Sequence, residues 1–267
     1  MKQLIQLFII AIIFSACQEV IELDTPPTAN KLVIEGVIST ETDSSYIRLT
    51  RTLNYFDNNS PVPPVDNATI TVNGIAFTHT GNGIYKAASP YTGVPNTMYN
   101  LSVVYEGKTY TSASMLEQGF DVDTIFPVFK PAAGFIPAGY AVKYIATDNR
   151  PRVKYTYFKF GFKNDQITKG QDSIFGFRVL FDNKDFPVNA PYEFELPLYR
   201  FEEGDSCILI FRSIDENVFR YLDALGNRGG NAFFGSPPAN LPTNIKGDAL
   251  GLFAAYDVKR YRVRITN

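Results

Sequence analysis

ATITVNGIAFTHT at residues 68–80 and MYNLSVVYEGKTYTSASM at residues 98–115 decide the fold. In TITV and YNLSVVY apolar and polar side chains largely alternate, the period of a strand with one buried face. Asn73-Gly74 is the signature of a two-residue type I′ turn, and IAFTHT answers it at once as the return strand. The second stretch turns at Glu106-Gly107-Lys108, and Asn82-Gly83 leads into another short strand, GIYKAA. Working outward, LVIEGVI (32–38) and YIRLTRTLNYF (46–56) read as the two strands that come first. Turn signals about every 8–12 residues, without a helical period, predict an immunoglobulin-like or transthyretin-like β-sandwich over residues 31–118.

The rest of the chain, residues 119–267, is predicted to be a second β-rich domain. GFDVDTIFPVFKPAAGFIP (119–137) is broken by Gly119, Pro127, Pro131, Gly134 and Pro137 and reads as the passage between domains. AVKYIAT, VKYTYFKFGF, SIFGFRVLF, YEFELPLYRF and SCILIFRS then read as strands, followed near the end by LGLFAAYDV and YRVRI as two more. In KYTYFKFGF the aromatics stand close to alternation, which gives one heavily aromatic face. One helix is predicted over residues 214–225. Ser213 is its N-cap, Glu216 completes a capping box, and Gly226 follows the last turn. Its apolar stripe is Ile214, Val218, Tyr221, Leu222 and Leu225. The fold class is thus mainly β, with one short α-helix.

Composition bounds the function. Hydrophobic residues make up 45% of the chain, enough for sizeable cores, and the aromatic share comes from 22 Phe and 16 Tyr with no Trp. A formal net charge of −2 argues against a nucleic-acid partner, which needs a basic surplus. The first residues, MKQLIQLFIIAIIFSAC, have one cation (Lys2), an apolar run over 4–14 and small residues before Cys17. That is a secretory leader over residues 1–16, too short to span a bilayer as a mature helix. Ser15-Ala16-Cys17 resembles a lipobox, which implies acylation of Cys17 with palmitate-like chains. Each buried methylene contributes about 0.8 kcal/mol, so three chains anchor the protein stably. QEVIELDTPPTAN (18–30) is then an acidic tether stiffened by Pro26-Pro27. Its acidity after the lipidated Cys resembles an export signal to the outer face of the outer membrane; an ordinary polar linker has the same composition. Cys207, the other cysteine, reads as a small core residue.

The search for chemistry yields few candidates. His79 is the only histidine, with no HExxH, GxSxG or SxxK motif in the chain, and reads as an exposed strand residue. Glu193 and Glu195 alternate with Tyr192, Phe194 and Leu196 on one strand, whereas a glycosidase pair stands on separate elements. Asp121, Asp123, Asp182 and Asp185 could offer oxygens to calcium, but the Asp182 run carries Lys184 and reads as a turn. No metal or cofactor is expected, and the chain is read as a non-enzyme. Two stretches suit a partner. Arg260, Arg262 and Arg264 alternate with Tyr261, Val263 and Ile265, a basic ridge over an apolar face that could meet phosphates or an acidic protein; a solvated face is the plainer reading. Residues 227–248 form a long irregular segment in which Phe233-Phe234 precede a stiff Pro237-Pro238. The pair reads as a partner contact or as a plug for the C-terminal sandwich.

The chain also resembles a family of outer-membrane lipoproteins, domain of unknown function 4249. The resemblance is carried by KLVIEGVIS, LTRTLNYFD, PPVDNATITV, GIYK, YNLSVVYEGKTYTSAS, SIDENVFRYLDAL and GSPPANLPTNIKGDALGLFAAYDV in that order. It implies an accessory lipoprotein working beside a TonB-dependent receptor in ligand capture or uptake. It assigns no catalytic residue. A surface adhesin or envelope structural protein is the alternative expectation from the same folds.

Overall fold

The computed structural model describes residues 30–53, 61–88, 90–151, 153–162, 178–196, 200–227 and 241–266. Cys17, Phe233 and Phe234 lie outside them. The first half forms β1 (Leu32–Ser39), β2 (Tyr46–Arg51), β3 (Thr69–Val72), β4 (Ile75–Gly81), β5 (Ile84–Ala87), β6 (Thr97–Tyr105) and β7 (Lys108–Leu116). Three of its turns adopt the left-handed pairs that a primed hairpin needs: Asn73-Gly74 (φ 48° and 79°), Asn82-Gly83 (50° and 71°) and Glu106-Gly107 (48° and 72°). The alternation seen in the sequence is real. Tyr99, Leu101, Val103 and Tyr105 of β6 point into one core with Tyr110 and Leu116 of β7.

The second half adds β8 (Val122–Lys130), β9 (Gly139–Thr147), β10 (Tyr155–Phe162), β11 (Arg178–Asp182), β12 (Pro191–Glu195), β13 (Ser206–Ile214), the helix α1 (Glu216–Asn227) and β14 (Leu250–Arg264). The stretch read as an interdomain passage is therefore partly a strand. β8 pairs with β9 from Val122 to Lys130 and carries Pro127 within it, as an edge strand of the small sheet β12-β9-β8 can. The two strands expected at the C-terminus are one.

β14 organises the molecule. Its first part runs parallel to β1, from Val33 opposite Leu250 to Ser39 opposite Tyr256, and its second part runs antiparallel to β13, from Ser213 opposite Asp257 to Ser206 opposite Arg264. An 11-stranded sheet results, in the order β11-β10-β13-β14-β1-β2-β5-β4-β3-β6-β7. Its far end curls back on the middle: Thr111 and Lys246 exchange backbone hydrogen bonds of 3.2 and 2.8 Å, and Glu117 bridges to Tyr256. β1–β7 with the first part of β14 so enclose one sandwich-like core around Ile34, Ile47, Leu49, Phe253 and Ala255. Gly251 permits the seam. Its φ is +110°, and a Cβ there would stand 2.1 Å from the Ile34 carbonyl oxygen.

A second core lies between the small sheet and β10, β13 and β14, where Tyr144, Phe158, Phe160, Phe201 and Phe211 pack with Leu209 and Cys207. Phe158 stacks on Phe211 at 4.5 Å, and Tyr144 meets Phe211 edge-on at 5.4 Å. The opposite face of the same strands is covered by α1 through Val218, Phe219 and Leu222, with Phe219 stacked on Tyr155 at 4.4 Å. Coverage on both sides explains why β13 reads as an unbroken apolar run rather than an alternation.

The helix differs from its expected form at the start. Ser213 and Ile214 still belong to β13, so the cap is Asp215: Val218 N–H donates to its Oδ1 at 2.9 Å. Its Oδ2 accepts from Ser114 Oγ–H at 2.5 Å and from Met115 N–H at 3.0 Å, tying α1 to β7. Glu216 closes no capping box and pairs with Arg220 at 2.6 Å on the surface. Helix geometry also continues through Gly226 to Asn227, and Leu225, expected in the apolar stripe, is 47% exposed. Ser213 has another task. Its Oγ accepts from Arg150 at 2.7 Å, while Arg150 clamps the buried Asp148 with bonds of 2.9 and 2.7 Å.

Candidate functional site

Cross-strand register sorts the side chains of the C-terminal sheet onto two faces. Leu209 and Phe211 enter the second core, so Ile208, Ile210 and Arg212 face the side where α1 lies. Tyr157 stands opposite Arg212, and Arg212 opposite Val258, on that same outer face. One row further along, Arg178, Lys159, Ile210 and Arg260 stand side by side across four strands.

Where this face meets α1 and β1, a pocket of about 200 Å³ opens to solvent. Val218 and Leu222 of α1 and Leu252 and Ala254 of β14 make an apolar wall. Tyr46, Tyr157, Tyr221 and Tyr256 line it as well, and Arg212 supplies a charge. The Arg212 guanidinium sits 5.1 Å over the Tyr256 ring, and its Nε is buried without a hydrogen-bond partner. Glu35 also reaches the pocket, near Arg48 at 3.7 Å. Ligand pockets usually measure about 300–1,000 Å³, so this one has room for a single ring or a short acyl group rather than a large ligand.

The ridge of Arg260, Arg262 and Arg264 is present, and all three are exposed on the pocket's side of the sheet. Arg260 is neutralised by Glu41, with bonds of 3.1 and 3.0 Å, and Arg262 donates to Ser206 Oγ at 3.1 Å. Lys159 and Arg178 extend the cationic face, and Arg212 joins it to the pocket. None of these was singled out in the sequence. Arg212 sits in an apolar stretch, SCILIFRS, and its parity acquires meaning only once both faces of β13 are known to be covered. Lys159 and Arg178 become neighbours only through the pairing of β10 with β11.

The other candidates fall to ordinary roles. His79 on β4 lies 2.8 Å from Asp66 and 5.2 Å from the Tyr85 ring. Glu193 and Glu195 share Lys143 at 2.6 and 3.8 Å, and Glu195 also meets Lys130 at 3.2 Å. Asp121 pairs with Lys259 at 3.0 Å, which holds that ammonium above its ordinary range through the hydrogen bond. Asp123 accepts from Thr147 at 2.9 Å, and Asp182 caps its own turn by accepting from Lys184 N–H at 3.0 Å. Among the described residues no three His, Cys, Asp or Glu side chains converge as a metal site. Cys207 is fully buried as a free thiol, and burial pushes its pKa up to about 12.

No curated protein matches the chain. A family model described as a domain of unknown function, DUF4249, matches residues 18–262, which takes in β1–β13, α1, all but the last two residues of β14 and the residues that line the pocket. The chain belongs to that family.

Proposed function

We propose that this protein is a lipid-anchored accessory protein of the outer membrane that works with a TonB-dependent transporter and binds a ligand without transforming it. The observation that carries the binding role is the pocket under α1, where the Arg212 guanidinium stands over the Tyr256 ring beside an aromatic and apolar lining. A guanidinium, tyrosine rings and aliphatic walls hold a ligand by charge, stacking and apolar contact. Lipid at Cys17 and the tether over residues 18–30 would keep that pocket at high effective concentration beside its partner. The cationic face next to it suits an acidic ligand group or an acidic rim on the partner.

Affinity purification from native membranes tests this reading. A TonB-dependent transporter should co-purify with the wild-type protein in near-equal amount, and deletion of the protein should lower uptake of that transporter's ligand. An Arg212→Leu variant should keep the transporter and lose the ligand effect. Recovery of the wild-type protein without any transporter, with uptake unchanged on deletion, would refute the accessory role and favour an adhesin.

A further inference from the structure

β8 and β9 form a hairpin whose tip, residues 131–138, reads PAAGFIPA. It has no charged or hydrogen-bonding side chain. The tip is nonetheless ordered by its backbone. Ala133 N–H donates to the Ile136 carbonyl at 2.9 Å, and Ile136 N–H donates to the Ala133 carbonyl at 3.0 Å. Gly134, with φ +57°, provides the sharp turn, and Pro131 and Pro137 have no N–H to leave unmatched. Phe135 crowns this turn fully exposed, at 107% of its reference area, and Phe129 on the stem is 60% exposed. Below the tip Phe129 meets Tyr140 edge-on across the hairpin at 5.5 Å.

An isolated exposed phenylalanine is ordinary, but a wholly apolar projection with a fixed shape is not. We infer that the hairpin tip at residues 131–138 inserts into the surface of a lipid bilayer, with Phe135 leading. Three features favour lipid over a protein partner. Leaving backbone polar groups unsatisfied is costly in hydrocarbon, and the turn satisfies those of Ala133 and Ile136 within the hairpin while an entry no deeper than the headgroup boundary leaves the remaining ones hydrated. Protein hot spots centre on Trp, Tyr or Arg inside a polar rim, and the tip offers no polar side chain for such a rim. Phe129 and Tyr140 form an aromatic collar behind the leading residue, the arrangement that sits at headgroup level while an apolar element enters about 5–10 Å.

The chain contains no tryptophan, so Phe135→Trp makes a sole reporter at the tip. Ile75→Trp, at a site 47% exposed on β4, makes the matching control. Each full-length protein is reconstituted with vesicles of phosphatidylethanolamine and phosphatidylglycerol, with no other protein present. The Phe135→Trp emission should shift to the blue and be quenched severalfold by lipids brominated on their acyl chains, while the Ile75→Trp emission stays that of a hydrated indole. Circular dichroism unchanged from wild type shows that neither substitution disturbs the fold. Phe135→Trp emission that remains hydrated on protein-bearing vesicles overturns the inference, as does failure of both proteins to float with the vesicles. A shift confined to native membranes overturns it too, by assigning the tip to a protein. The transporter plays no part in these vesicles, so the outcome is independent of the accessory role.

Discussion

Replacing Asp215 by alanine should be one of the more damaging single changes at the surface of this protein. Its carboxylate accepts three hydrogen bonds from two chain segments: Val218 N–H at the start of α1, and Ser114 Oγ–H and Met115 N–H on β7. Losing the N-cap bond costs about 1 kcal/mol. Ser114 is buried, and leaving its hydroxyl and the Met115 N–H without an acceptor costs about 1–3 kcal/mol each, taken at the lower end because Asp215 is near enough to solvent for water to enter. The sum is about 3 kcal/mol, or about 6–12 °C in melting temperature at about 2–4 °C per kcal/mol for a domain of this size. Ser114 Oγ also accepts from Ala255 N–H at 2.9 Å, so the loss propagates to β14.

Denaturant unfolding of three variants separates this account from the alternative that Ser213 and Glu216 cap the helix. Asp215→Asn keeps an acceptor for Val218 but has one oxygen instead of two, so it should lose about half as much as alanine. Glu216→Ala should lose at most about 0.5 kcal/mol, because it breaks only an exposed pair with Arg220. If Glu216→Ala is as damaging as Asp215→Ala, or Asp215→Ala is neutral, the assigned cap is wrong.

Three further outcomes are expected. Gly251→Ala should destabilise by about 3 kcal/mol, since it forces a Cβ against the Ile34 carbonyl at a φ of +110°, and should be read by thermal melting. Burial raises the pKa of Asp148, but the bonds and charge of Arg150 outweigh it and hold the carboxyl below its ordinary value. Its folded pKa is thus below its unfolded one; the stability it contributes is complete above about pH 4 and fades as pH falls further, so Asp148→Asn should flatten the acid limb of a stability-against-pH curve. Cys207, with its thiol buried and its pKa near 12, should resist alkylation at pH 8 until the protein unfolds, and labelling of the native state would contradict its place in the second core.

The parts of the fold that are local in sequence were readable there. Asn73-Gly74, Asn82-Gly83 and Glu106-Gly107 are turns with their own chemistry, and the strands they join alternate because one face is wet. Where the sequence misleads, a long-range partner is responsible. Ser213 and Asp215 are both good caps on local grounds, and the choice falls to Asp215 because β13 continues through Ile214 to pair with Tyr155. Residues 250–258 and 261–265 look like two strands because their apolar side chains serve different cores: Phe253 and Ala255 fill the first, and Tyr261 and Val263 pack on the second. The pocket was invisible for a related reason. Its lining comes from β1, β2, β10, β13, α1 and β14, which no window of sequence brings together.

That dispersed lining bears on how the two cores relate. A boundary between residues 118 and 119 divides β1–β7 from β8–β13, yet β14 belongs to both sides and pairs with strands of each. Cutting there would leave β1 without its parallel neighbour and would remove Phe253 from beside Ile47 and Gly36. The pocket sits on this shared strand, on the face turned away from both cores, with Glu35 and Val37 of β1 on one side and Arg212 of β13 and Tyr157 of β10 on the other. Any rotation of one core against the other must therefore bend β14 or break its ladders. The two cores are thus joined through β14, which pairs with strands of each and carries part of the pocket's lining.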